Sequence, residues 1–496
     1  MKCLSEYLEF YSKTKPESTF LVHKSGTYTY YQINNAVNNL CSLIQELPVE
    51  QKLSIGIFLT GSPEFVVALY SALRFRANVI IFPPNLTYQE LAKLLGLSKP
   101  DILIFNTDLL EKVEKASFLS KHNFGRIIFN TPGDARFSLQ NMISNERDFS
   151  SSRNIDTENN SITIFTKKQK QKRLGISYTQ KNIISAIEAF STILRYLPDK
   201  IFINSYPLNT TKGCILILNT CLYTGGKLII STTNRTNQIK KHLIKEKVSI
   251  LITDGAYFNG LTEEIDFEND DLGSLELVLI NGTYPNIENF KRWEKTYGCV
   301  ILEGFGIPET SEVCSWNLSK AERTPGSIGL PLGCNQVKIV DEYGAEMESG
   351  NAGLLAIKGD NIVKGYFDHP LELERGWLIT DYVAVRDENG FIYIKAQKKD
   401  LINRFGYKIL PEEIETMVRE IPEVKDVAAV GLDSENGNQK LKICVVLDNG
   451  SKVNSAEIED AIKERLPVYL QPDYIELLKC IPKDEYGNVL RYKLSK

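Results

Sequence analysis

The sequence predicts an α/β protein: a large N-terminal domain of stacked, mostly parallel sheets with helices, a small β-barrel-like segment, and a small α+β C-terminal domain. Three observations carry this. Short runs of continuous Val, Ile and Leu alternate with stretches of helical spacing, the pattern of parallel strands buried on both faces. After about residue 325 the texture becomes turn-rich and strand-rich. From residue 400 onward helical and strand patterns share about a hundred residues. At 496 residues the chain exceeds one ordinary core.

In order, strands are predicted at 53–59, 78–83, 101–106, 126–130, 227–231, 248–253, 275–282 and 299–306. Helices are predicted at 63–75 and 179–197. The stretch 163–179 reads as a strand, a basic run of Lys167, Lys168, Lys170, Lys172 and Arg173, and entry to a second strand. The segment 327–359 is rich in Gly and turns, as in a small barrel. In the tail, 411–422 opens with Pro411 at a first helical turn, followed by strand-like 426–432 and 442–448 and helix-like 455–467. No repeat or low-complexity linker appears, so the boundary near 400 is a change of pattern. Residues 1–398, with 325–398 as the turn-rich subdomain, form the large domain and 399–496 the small one.

Composition narrows the function classes. The 58 Lys and Arg against 62 Asp and Glu give a net charge of −4, so the chain as a whole is no polyanion binder and no nucleic-acid partner is expected. No apolar run is long enough for a membrane span. The N-terminal residues carry acids and tyrosines where a signal peptide has its apolar core. Nine cysteines without a C-x-x-C pair argue against zinc and disulfides and fit a reducing cytoplasm. The four histidines, His23, His122, His242 and His369, have no metal-like or triad-like neighbour.

TYTYYQIN (27–34), SPEFVVALYSAL (62–73), LEGFGIPETSEV (302–313), PGSIGLPLG (325–333), KGYFDHP (364–370), RGWLIT (375–380), DENGFIYI (387–394), KKDLI (398–402) and LPEEIE (410–415) follow in one order. In that order and spacing the whole chain resembles the adenylate-forming superfamily of acyl-CoA synthetases, nonribosomal-peptide adenylation domains and luciferases. The resemblance implies a small domain that swivels over the large one about a hinge near Lys399. It also implies a carboxylic acid substrate, ATP with magnesium, an acyl-adenylate, and transfer to the thiol of coenzyme A or a carrier protein.

The positions that handle nucleotide in the family are altered here. The phosphate loop, T-S-G-T-T-G-x-P-K-G in the family, corresponds to residues 166–175, where Thr166 and Gly175 remain and Lys167, Lys168 and Lys170 stand among long side chains. These attract phosphate as point charges but do not rebuild a nest of backbone N–H groups. G-Y-G-x-T-E corresponds to Gly304–Glu309. Phe305 falls at the adenine-stacking position, Gly306 beside it, and Glu309 at the magnesium-ligand position, with Pro308 in place of threonine. The ribose aspartate is Tyr382, with Asp381 one residue before it and turned to the opposite face of an extended strand. The assisting arginine is Gln397 and the adenylating lysine is Asn488.

The family's acid pocket corresponds to Tyr206–Asn209 and Asn281–Tyr284, and the usual aromatic and histidine after the first segment are replaced by Thr210, Thr211 and Lys212. Losing one stabiliser of transition-state charge typically costs about 10²–10³-fold, so five altered positions predict that standard adenylation is lost or severely impaired. Three expectations follow: a non-catalytic binding partner or scaffold in a biosynthetic pathway; an enzyme acting on a pre-activated acyl group or carrier-bound thioester; or a carboxylate–CoA or carrier-protein ligase with a lysine-rich phosphate loop. The first has a biosynthetic enzyme as partner. The others take an acyl or aryl acid or thioester, with CoA or a phosphopantetheine thioester.

Overall fold

The computed structural model describes residues 1, 3–47, 53–149, 161–167, 173–194, 200–233, 235–282, 287–404, 407–433, 439–448, 455–467, 470–483 and 489–495. Among them, two large sheets dominate. One runs in the order Leu330–Pro331, Ser315–Trp316, Val300–Phe305, Leu277–Asn281, Ile250–Thr253, Ile201–Ile203, Lys227–Ile229, Thr19–His23 and Gly26–Thr29. The other runs Gly365–Tyr366, Arg173–Thr179, Ser161–Lys167, Asn78–Ile81, Ser54–Phe58, Ile102–Asn106 and Gly125–Phe129. The central pairings of both are parallel and the antiparallel ones lie toward the edges.

The continuous apolar runs have a direct cause. Along 277–281, Leu277 and Leu279 enter one core while Val278 and Ile280 enter another on the opposite face. Likewise Ile102 and Ile104 face the first core and Leu103 and Phe105 a third. Side chains alternate across a strand, so a strand covered on both sides needs apolar residues at every position. The first core draws on both sheets and on helices Leu4–Thr14, Tyr30–Gln45, Pro63–Arg74 and Gln180–Ser191, which therefore pack between the sheets. Three of these helices open on side-chain caps: Thr29 with Gln32, Ser62 ahead of Pro63, and Thr179 with Asn182.

The segment 325–398 departs from the barrel expectation. Its strands Asn335–Val340, Ala352–Gly359, Leu378–Arg386 and Ile392–Gln397 make an open four-stranded antiparallel sheet. Its shorter strands leave it altogether: 330–331 joins the first large sheet and 365–366 the second. Pairing that would close a barrel is spent on fastening the large sheets. Beyond it, Val424–Leu432, Lys440–Leu447 and Tyr474–Leu477 form a separate sheet with cores on both faces, against helices Pro411–Arg419 and Ser455–Arg465.

Gly304 shows how tightly the first sheet edge is packed. A Cβ there would lie 2.1 Å from Cδ2 of Trp316, which is fully buried and packs edge-on against Phe190. Gly304→Ala should therefore cost about 1–3 kcal/mol of stability by overpacking, read as a lower thermal midpoint. Gly333→Ala, with nothing within 4 Å of the added carbon, should leave the midpoint unchanged.

Candidate functional site

Parallel strands present their carboxyl ends at one edge of a sheet, where ligands of open α/β sheets bind. Here the strands 201–203, 250–253, 277–281 and 300–305 are neighbours in register. Their ends bring together Tyr206, Asp254, Asn281 and the loop 306–313. Tyr206 donates its phenol hydrogen to Asp254 Oδ2 at 2.6 Å, and Asp254 Oδ1 caps the helix Gly255–Glu264 by accepting from Tyr257 N at 2.8 Å. Asn281 Oδ1 accepts from Gly306 N at 2.9 Å.

The loop then turns back on its own strand. Ser311 and Glu312 both sit at positive φ, 50° and 66°, a conformation that non-glycine residues adopt at a cost and that clusters at functional sites. Glu312 N donates to Ile307 O at 3.0 Å, and a Cβ at Gly306 would lie 2.0 Å from Glu312 O. Asn361, fully buried, donates to Thr310 O at 2.8 Å and Val313 O at 2.6 Å, while Ser311 donates to Asn361 O at 2.7 Å. The result is a Glu312 side chain with no solvent exposure. Its Oε1 accepts from the Thr211 hydroxyl; its Oε2 has no hydrogen-bond partner. The Tyr178 hydroxyl, on the second large sheet, is likewise buried and unpartnered.

Burial pushes the Glu312 carboxyl up to about 7, against the pull of Lys212 and Thr211, and Glu309 adds to the rise. Burial also raises the Tyr178 phenol, with Glu312 and then Glu309 as the next causes, so these groups share one electrostatic neighbourhood. Lys212 begins a wide-turned π-helix, Lys212–Leu218, and its ammonium lies 4.9 Å from the Tyr206 ring centre. Such helices recur at functional sites.

The structure sorts the positions expected from sequence. Thr166, Lys167 and Gly175 are not loop residues: they lie in a hairpin ladder, Thr166 opposite Leu174, Lys167 opposite Arg173 and Phe165 opposite Gly175. The physical reason is β-pairing on both sides of the basic run, which leaves only 168–172 for the connection. Gly175 serves packing, since a Cβ there would lie 2.9 Å from both Phe165 and Phe367. Arg173, at the ladder's end, donates to Glu90 at 3.4 Å. Lys168, Lys170, Thr283, Tyr284 and Asn488 lie outside the described residues.

Phe305 is 4% exposed, with Tyr382 packed edge-on at 4.9 Å between ring centres. Gln397 donates to the Tyr382 hydroxyl at 3.3 Å. These three positions are thus brought together. Asp381 is exposed on the other face of the strand and does not join them. Glu309, partly exposed, accepts from the Tyr366 hydroxyl at 2.8 Å. Lys399 lies in the exposed short turn Lys398–Asp400 between the last strand of the open sheet and the small domain. Glu312 and Tyr366 fall inside motif stretches that the sequence reading used but were given no site role there, and Tyr178 lies in no motif. An acid within the otherwise uncharged stretch 310–319 was the available signal for the first.

The Glu312 shift sets a pH signature. Between the ordinary 4.5 and about 7 the folded chain holds a proton that the unfolded chain releases. Stability from this group therefore declines as pH rises through that window and is constant above it. Glu312→Gln removes the decline. Its stability relative to the native chain should climb across the window by on the order of 3 kcal/mol, then level off, as measured by denaturant midpoints at several pH values. Glu303, raised by its own burial to about 7, is present in both chains and cancels.

Comparison with known proteins agrees with this architecture. Residues 8–367 match the family model of the AMP-binding enzymes and residues 413–488 that of the AMP-binding enzyme C-terminal domain. A long-chain-fatty-acid–CoA ligase of Escherichia coli O6:H1 is 30% identical over 331 residues, covering 64% of this chain and 58% of the relative. The chain thus spans under two thirds of that relative's length. A long-chain-fatty-acid–CoA ligase of Bacillus subtilis (strain 168) is 24% identical over 515 residues, covering 97% of this chain and 91% of the relative. The crystal structure of ATP-bound MatB from Rhodopseudomonas palustris superposes with a TM-score of 0.86 at 19% identity, covering 100% of this chain and 99% of that one, a likeness of fold. The chain belongs to the AMP-binding enzyme family, within the adenylate-forming superfamily.

Proposed function

We propose that the chain is an acid–thiol ligase that joins a carboxylic acid to the thiol of coenzyme A or of a carrier protein. The observation that supports this best is Glu309, retained and partly exposed at the carboxyl edge of the parallel strands, beside a buried polar cluster, in a chain matching both family segments. The acid sits among Tyr206, Asn281, Thr211 and Glu312, and the large domain 1–398 and small domain 399–496 close over it about Lys399. Relatives named as CoA ligases support the thiol acceptor.

In this family ATP with magnesium supplies the activation of the acid. Magnesium fits here: Glu309 would hold it. The nucleoside does not fit in the family's manner. Phe305 is covered by Tyr382, Gln397 is engaged with the Tyr382 hydroxyl, and the adjacent carboxylate, Asp381, faces away. This cluster favours a second reading, in which adenylation is lost or severely impaired. The chain then serves as a binding partner of a biosynthetic enzyme or takes an already activated acyl thioester.

Calorimetric titration with Mg-ATP and an assay of pyrophosphate release over a panel of carboxylic acids separate the two. Micromolar binding with release supports the ligase; no heat at millimolar ATP supports the second reading. The double variant Tyr382→Asp, Gln397→Arg restores charge-assisted contacts worth about 1.5–3 kcal/mol each. It should tighten Mg-ATP binding by about tenfold or more. An unchanged affinity would remove these side chains from the nucleotide's path.

A further inference from the structure

The acyl end of the site differs from its nucleotide end in one respect: two of its buried polar atoms are left over. Glu312 is fully buried and its Oε2 has no partner; Tyr178 is fully buried and its hydroxyl has none. They come from different sheets, one from the loop after the 300–305 strand and one from the 173–179 strand. A buried polar atom without a partner costs about 1–3 kcal/mol, and more when charged. Native structures keep few of them. Glu312 lies beyond the carboxyl edge of the first large sheet, where ligands bind, and its charge is felt by the Tyr178 phenol of the second sheet, so the two offer vacant hydrogen-bonding atoms in one electrostatic neighbourhood.

The backbone expends strain to keep Glu312 there. Consecutive positive φ angles at Ser311 and Glu312, fastened by Asn361, turn this side chain inward. An exposed acid would need none of this. Lys212, the cation whose charge reaches Glu312, makes no ion pair within 4 Å among the described residues, its ammonium lying over the Tyr206 ring. The carboxylate is therefore not already neutralised by a contact ion pair.

We propose that Glu312, assisted by Tyr178, is a specificity-determining residue that selects carboxylic acids bearing a second, hydrogen-bond-donating group, an amine or hydroxyl, over plain alkyl acids. An alkyl chain lying against Glu312 would leave its oxygen desolvated and unpaired. A site built to hydrogen-bond a substrate group rejects the analogue lacking it far more strongly than an apolar pocket rejects an extra methylene. This separates the chain from the long-chain fatty acids for which its relatives are named. The inference rests on the ligase reading for the identity of the ligand as an acid, and its test does not require turnover.

Calorimetry with matched alkanoic, hydroxyalkanoic and aminoalkanoic acids, on the native chain and on Glu312→Gln, Glu312→Leu and Tyr178→Phe, reads the selection directly. A donor-bearing acid is expected to bind at least tenfold tighter than its alkyl match. Glu312→Leu should abolish or reverse that ratio. Glu312→Gln, nearly isosteric and so the safeguard against misfolding, should weaken the amino acid more than the hydroxy acid, because both lose a charge-assisted bond but only the ammonium also loses an opposite charge. Tyr178→Phe should lower the ratio by a smaller factor. Equal or tighter binding of the alkyl acid by the native chain, binding of no donor-bearing acid, or a ratio untouched by Glu312→Gln and Glu312→Leu overturns the inference. Pyrophosphate release measured in parallel keeps the two ideas apart. Selective binding without release sinks the ligase reading and leaves the selection standing, whereas release with alkyl acids alone does the reverse.

Discussion

The fold-back of residues 306–313 onto the strand they have just left is the constraint on which the candidate site depends. It is held from two directions. Asn281, at the end of the neighbouring strand, accepts from Gly306, and Asn361 reaches the carbonyls of Thr310 and Val313. The loop around Asn361 is itself tied to the inner helix by Asn182, which caps that helix and donates to Asp360 O and Ile362 O at 2.7 and 2.9 Å. Three buried asparagines thus connect a helix between the sheets, the open antiparallel sheet and the loop bearing Glu309 and Glu312. Polar networks of this kind specify a unique arrangement when every member is satisfied. Here the arrangement ends in a carboxylate that is not.

Much of the architecture was legible because its cause is local. A strand covered on both faces must be apolar along its centre, and 57–59, 102–105 and 277–280 are, so the parallel sheets and their order along the chain could be read directly. What could not be read was pairing across long distances. Residues 325–398 have the turn density of a barrel, but their short strands at 330–331 and 365–366 pair with residues 315–316 and 176–177. A period-2 pattern says which face is buried and nothing about the partner. The same limit explains the phosphate-loop position. Thr166 and Gly175 aligned with a loop motif, and their incorporation into a hairpin depends on ladder partners rather than on residue type.

The site was legible in proportion to how far it follows motifs. Phe305, Gly306, Glu309, Tyr382 and Gln397 were all located by resemblance to the family's motifs, and three of them do meet. Reading them as nucleotide contacts fails to anticipate that Tyr382 turns toward Phe305 and that Gln397 turns toward Tyr382. Glu312 escaped because the matched pattern ends at Glu309, three residues before it. Its importance comes from burial, and burial of a single acid in a loop is set by tertiary folding.

The two ends of the site can be weighed against each other on one criterion, whether polar atoms are satisfied within the chain. At the nucleotide end the described groups are: Tyr382 with Gln397, Glu309 with Tyr366, Arg173 with Glu90. Each such contact must be broken before a ligand can use it, which lowers affinity by the worth of the contact. At the acyl end the balance is opposite, since Glu312 and Tyr178 already bear the desolvation cost and a donor-bearing ligand would recover it. Glu312, on a loop fastened by Asn281 and Asn361, leaves the acyl end with hydrogen-bonding capacity that the described groups of the nucleotide end have already used.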